Sequence, residues 1–196
     1  AQVISRETGK PLWEALSETQ SMIGKIDVTL GLSMELVASQ SVDNALPGIP
    51  GVTRFKPRGL MAVIGPFNFP GHLPNGHFVP ALAVGNTVAF KPSEKTPVTG
   101  QVIAELFHQA GFPKGVFNLI QGKGDIGKKL IGHPAVDGIL FTGSYEVGLK
   151  IKQETLDHHW KILALEMGGK NASIVWEDAD FDKAVYENLI GAYLSA

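Results

Sequence analysis

Cysteine is absent from the chain, which excludes disulfides and thiolate-held metals and leaves no thiol nucleophile. Its absence also points weakly to a reducing compartment, hence a cytoplasmic location. Neither charge sign is in excess. Seventeen Lys and Arg against nineteen Asp and Glu give a formal net charge of −2. The basic residues are scattered, so nothing marks a nucleic-acid or membrane surface. Long apolar runs are missing too: Leu60–Ile64 is typical, against the roughly 20 residues a spanning helix needs. The opening AQVISRETGK lacks the charged-then-apolar layout of a signal peptide. The six histidines show no metal-ligand spacing and read as surface residues, so no metal site is expected.

What remains is ordinary globular material: 196 residues, 44% hydrophobic and 18% charged, enough for one large domain or one domain plus part of another. Residues 5–38 repeat apolar side chains at helical steps (Trp13, Leu16, Ile23, Ile26, Leu30, Met34, Val37), with a break expected at Gly9-Lys10-Pro11. Residues 40–58, around NALPGIPG, read as an exposed connection or edge segment. From residue 60, apolar runs at 60–64, 87–90, 116–120, 138–141 and 162–165 alternate with helix-like stretches at 74–84, 97–110, 124–132 and 144–156. Runs apolar on both faces, separated by helices, are the pattern of parallel strands covered on both sides. The expected fold is therefore α/β: a doubly wound, mostly parallel, Rossmann-like sheet. A further strand is expected at 172–176 and a helix from Asp180 to the end, with Phe181, Val185 and Leu189 on an exposed apolar side.

Candidate chemistry gathers where these strands end. In IGPFNFPGH, residues 64–72, Pro66 and Pro70 hold Phe67 and Asn68 in a stiff turn just past a strand. A Pro-bounded turn with two buried rings would read the same way. FKPSEKTP, residues 90–97, offers Lys91, Ser93 and Glu94; a cation and an acceptor three apart could hold a ribose diol. The acidic residue favours a free 2′-hydroxyl, hence NAD over NADP. GKGDIG, residues 122–127, places Gly122, Gly124 and Gly127 between a strand and a helix, where backbone amides can meet a pyrophosphate. FTGSYEVG brings Gly143 and Ser144 to a further helix start, where Ser144 either caps the helix or touches phosphate. LEMGGKN puts Glu166 after a strand and before Gly168-Gly169; partial desolvation there would move a carboxyl toward general-base range.

GPFNFP, PALAVGNTVAFKPSEKTP, the 122–127 loop, FTGS and LEMGGKN, in this order, resemble the aldehyde dehydrogenase superfamily across the whole chain. FNFPGHLPNGHFVPALAVGNTVAFKPSE and RETGKPLWEA are similar to the branch that oxidises a succinylated semialdehyde in bacterial arginine breakdown. The resemblance implies that Asn68 donates its amide to an oxyanion and that Glu166 is the base for a hydrolytic water. It implies further that Lys91 and Glu94 meet the adenosine ribose, that Ser144 meets the pyrophosphate, and that the 122–127 glycines lie near the adenine. Phe67, Ser93, Gly143 and Gly168 would line the same NAD site. Residues 1–170 would be part of an NAD-binding domain and 171–196 the start of a catalytic domain. The family's attacking cysteine would fall a few residues beyond Ala196, so the chain reads as an inactive fragment of a homo-oligomeric enzyme acting on a small aldehyde. A non-catalytic dinucleotide-binding module is the alternative, which a packed, capped C-terminal helix would favour.

Overall fold

A computed structural model describes residues 1–194. Helix α1 (Gln2–Thr8) ends where Gly9 takes a left-handed conformation (φ 78°) and returns its N–H to Ser5 O. This is the usual way a glycine closes a helix. Pro11 then opens α2 (Leu12–Val28), which runs into one wide turn at Thr29–Ser33 broken by Gly31. The expected break at residues 9–11 is thus present. Residues Gln40–Leu46 (β1) and Ile49–Thr53 (β2) pair as an antiparallel hairpin exposed along nearly its whole length.

The remaining strands form one five-stranded parallel sheet: β3 (Leu60–Ile64), β4 (Thr87–Lys91), β5 (Phe117–Leu119), β6 (Gly138–Gly143) and β7 (Ile162–Met167), in the spatial order β5-β4-β3-β6-β7. The crossovers are α3 (His72–Ala83), α4 (Pro97–Gln109), α5 (Gly124–Gly132) and α6 (Tyr145–Glu154). Each strand expected in the sheet from residue 60 to 167 is present, with ends shifted by a residue or two.

The apolar runs are continuous because both faces are covered. Met61 and Val63 join Val88, Phe90, Phe78 of α3 and Ile103 of α4 in one core, while Ala62 joins Ala89, Ile139, Phe141, Leu130 and Ile131 of α5 and Ile151 of α6 in the other. Phe78 anchors the first core, meeting Phe90 and Phe117 edge-on with ring centroids 5.6 and 5.3 Å apart. That geometry suits aromatic quadrupoles.

One expectation fails. Residues 172–176 form no strand, and every residue from 168 to 180 is exposed. An apolar run becomes a strand only where a neighbour satisfies its amides and carbonyls, and among the described residues no strand lies beside this one. The helical periodicity of residues 5–38 is borne out, and the structure adds which face turns outward: Trp13, Leu16, Ile23, Ile26 and Leu30 are exposed, whereas Glu14, Glu18 and Thr29 are buried. Helix α7 (Phe181–Tyr193) is capped by Asp180, whose Oδ1 accepts from Lys183 N at 2.9 Å, yet buries none of its residues. The end of that helix as read from the sequence, residues 195 and 196, lies outside the described residues.

Candidate active site

In a parallel sheet every strand points its carboxyl end the same way, and here the winding reverses between β3 and β6. Ligands of open α/β sheets bind in the crevice at such a reversal. A cleft of ≈ 1360 Å³ opens there.

The segment after β3 supplies its first wall. Gly65 N donates to Lys91 O at 3.1 Å, tying the end of β3 to β4 before the chain turns through Pro66 and Pro70 into α3. Phe67 and Asn68 are exposed on this turn and line the cleft. Lys95 Nζ lies 4.2 Å over the Phe67 ring. At the end of β4, Lys91 is buried and its Nζ donates to Pro92 O at 3.2 Å. Burial lowers its pKa below the ordinary lysine value, while Glu94 and Asp125 work to raise it. Ser93 and Glu94 follow on the same wall.

The opposite wall is made of helix starts. Gly124 and Gly127 of α5 line the cleft, and a Cβ on Gly127 would rest 3.6 Å from the Lys91 stem. No side chain caps the start of α5, so its first amides stay available to an anion. Gly122 stands apart: it lines a neighbouring groove with Glu94 and Gln121 rather than the cleft itself. Its φ of +148° and the 2.5 Å that would separate a Cβ from Ile126 Cγ1 make glycine necessary for the turn. Gly143 ends β6 and Ser144 follows it on the cleft wall, where Ser144 Oγ accepts from Val147 N at 3.3 Å. Capping is therefore the role its contacts display. Glu146, two residues on, does not line the cleft.

Glu166 and Gly168, at the end of β7, complete the lining. Glu166 pairs in register with Thr142 of β6, so the two side chains leave the sheet on one face. Sequence reasoning missed a third member. His77 of α3 lines the same cleft, and its Nε2 lies 2.8 Å from Thr142 Oγ1. Burial lowers its pKa, and the Glu166 charge partly opposes this. The reading of all six histidines as surface residues is thus corrected for His72, His77 and His158, which are half-buried. The signal was available: Leu73, Gly76 and His77 share one helical face at steps of three and one, aimed at the strand ends. No group of three or more potential metal ligands occurs among the described residues.

The cleft suits a dinucleotide. It combines glycine-lined walls, an uncapped helix start for phosphate and an acidic residue beside a cation for a ribose.

The profile of the aldehyde dehydrogenase family matches residues 1–196. The N-succinylglutamate 5-semialdehyde dehydrogenase of Chromobacterium violaceum is 50% identical over all 196 residues, which span 40% of its length. An NAD-dependent aldehyde dehydrogenase from Sinorhizobium meliloti superposes with a TM-score of 0.90 at 33% identity, over 97% of this chain and 38% of that one. A betaine aldehyde dehydrogenase from Staphylococcus aureus, solved with NAD+, superposes at 0.88 and 34% identity over 98% of this chain and 39% of that one. The chain spans about two fifths of the length of the curated relatives it matches. Taken together, a profile match over residues 1–196 and a superposition over 97% of the chain show that it belongs to the aldehyde dehydrogenase family.

Proposed function

We propose that the chain is the cofactor-binding portion of an NAD-dependent aldehyde dehydrogenase. Its substrate would be a semialdehyde, N-succinyl-L-glutamate 5-semialdehyde, which it oxidises to the carboxylate. The observation that carries the reading is the convergence of Asn68, Glu166, Lys91 and Glu94 on one cleft at the reversal of the sheet. The substrate rests on relatives at 45–50% identity that carry that activity in their names. Residues 1–170 would form the NAD-binding domain, with a catalytic domain beginning at 171, and the whole enzyme would be a homo-oligomer.

Bound NAD would supply a two-electron acceptor for the aldehyde hydrogen. Lys91 and Glu94 would hold the adenosine ribose, Glu94 selecting a free 2′-hydroxyl. The amides at Gly124 would face phosphate, with Gly122 shaping the loop that leads to them. Phe67, Ser93, Gly143, Ser144 and Gly168 would shape the walls. The Asn68 amide would donate to the oxyanion that forms when a thiolate adds to the aldehyde carbon. Glu166 would take a proton from the water that splits the resulting thioester, releasing the carboxylate and the thiol. That thiol is not among the 196 residues.

The test is NADH formation by the full-length protein, with the succinylated semialdehyde set against its unsuccinylated counterpart and NAD against NADP. A preference for the first of each pair is expected. Turnover favouring another aldehyde would overturn the substrate, and cofactor binding without turnover would favour a non-catalytic module.

A further inference from the structure

Behind the Asn68 turn lies a cluster of buried charge that the proposed reaction does not use. Lys10, Glu14 and Glu18 are all buried between α1, α2 and the start of α3. Glu18 Oε1 accepts from two backbone amides, Gly71 N at 2.9 Å and His72 N at 3.1 Å. Its Oε2 accepts from Lys10 Nζ at 3.3 Å. The same ammonium lies 3.3 Å from Glu14 Oε1 and 3.3 Å above the centre of the Phe69 ring. Phe69 follows Asn68 directly, and Gly71 is three residues on. The cluster therefore grips the turn by its ring and by its backbone at once.

The electrostatics explain why this turn is the place gripped. Two carboxylates against one ammonium leave a net negative charge inside the protein, which needs a further partner. The first turn of α3 supplies free amides and the positive end of a helix dipole. Gly71, at its start, offers no side chain to cap it. Glu18 fills that role from another helix. Asn75 Nδ2 adds a second tie, donating to Met22 O at 3.0 Å. A Cβ at Gly71 would stand 2.6 Å from Met22 Sδ and 3.3 Å from Glu18 Oε1, so the turn is seated against α2.

Buried ion clusters add little net stability compared with well-packed apolar side chains. What they add is geometry. The Asn68 side chain makes no hydrogen bond among the described residues, so its aim is set by the backbone that carries it. We propose that Glu18, braced by Lys10, is a positioning residue that holds the Asn68 turn in register with the cleft. The proposal rests on reading Asn68 as the oxyanion donor.

The test compares E18A, E18Q, N68A and E18A/N68A in the full-length enzyme. The readouts are kcat/KM for the aldehyde per folded molecule, the dissociation constant for NAD, and thermal melting. E18A is expected to lower kcat/KM by about tenfold or more, as small misplacements of catalytic groups do, with NAD binding unchanged. E18Q keeps an oxygen facing Gly71 and His72 and should recover most of that loss. Adding E18A to N68A should cost nothing further, because there is no longer an amide to aim. A lowered melting point with kcat/KM intact would overturn the proposal, as would losses that multiply in the double variant. Should E18A not fold, E18Q carries the test: its residual deficit should vanish in the N68A background, and equal deficits in both would overturn the claim. If N68A itself leaves kcat/KM intact, the reading of Asn68 falls and this proposal with it. A slow N68A beside a fast E18A overturns the positioning role alone.

Discussion

The parallel sheet with its crossovers, residues 60–167, and the segments on either side of it solve burial in opposite ways. Within the sheet, Phe78 and Phe90 are 1% and 0% exposed. Beyond it, Ile174, Trp176 and Phe181 are 83%, 70% and 78% exposed. On α2 most of the apolar stripe lies outside, while Glu14 and Glu18 are buried beside Ala15. The sheet carries its own core, whereas α1 and α2 add caps and ion contacts to the few apolar contacts made by Ile4, Ala15 and Met22. Glu7 of α1 illustrates the second kind of attachment: its carboxylate accepts from Val98 N at 2.8 Å and Thr99 N at 2.7 Å, closing the start of α4. Hydrophobic burial and polar anchoring can therefore be separated by mutation.

The largest effect is expected at the centre of the sheet. Phe90→Ala should cost about 3–5 kcal/mol in chemical denaturation, because a fully buried ring leaves a cavity its neighbours cannot close. A loss no larger than a surface substitution would mean the sheet is not the stable unit. Lys161→Met comes next, at about 1–3 kcal/mol. Its buried ammonium donates to Ile131 O at 2.6 Å and His133 O at 2.8 Å, closing the end of α5 where a cation also meets the helix dipole. Methionine fills the volume but leaves those carbonyls without a donor, and equilibrium unfolding would register the difference.

This contrast also explains what was legible in the sequence. The inner strands β3, β4 and β6 could be read because both faces are largely buried, so composition alone reported them, while the half-exposed edge strands β5 and β7 were read from apolar runs of the same kind. The candidate site followed from where those strands end, since ligands of open α/β sheets bind beyond the carboxyl ends of the strands. Residues 172–176 have the same local composition but no neighbour, and local composition carries no record of neighbours. On α2 the helix was legible from its periodicity, but which face turns inward was not, because Lys10, Glu14 and Glu18 close on the Asn68 turn, a contact with residues far along the chain. His77 was passed over because its environment, Thr142 and Glu166, comes from strands more than sixty residues away.

A smaller effect should appear only in acid. Burial holds the pKa of His77 below its ordinary value of 6.5, with Glu166 partly opposing. Below about that pH the unfolded chain takes up a proton that the folded chain resists, so stability falls as pH falls through the window. His77→Asn should flatten this part of the stability profile, read as denaturation midpoints above and below the ordinary value. An unchanged slope would show that His77 is freely hydrated in solution.

The smallest effect is the one on which the comparison turns. Trp176 is large and apolar, and on composition alone its removal should be as costly as that of Phe90. In the structure it is 70% exposed, in a segment with no strand beside it. A side chain that leaves little water behind on folding has little transfer energy to lose. Trp176→Ser should therefore change the stability of the 196-residue chain by no more than about 0.5 kcal/mol, the range of ordinary surface changes. It should also reduce the chain's tendency to self-associate, because one apolar patch is removed. Denaturation and sedimentation of the same sample read the two effects separately. A loss near that of Phe90→Ala would place Trp176 in a packed environment and erase the division between a self-sufficient sheet and polar-anchored flanks.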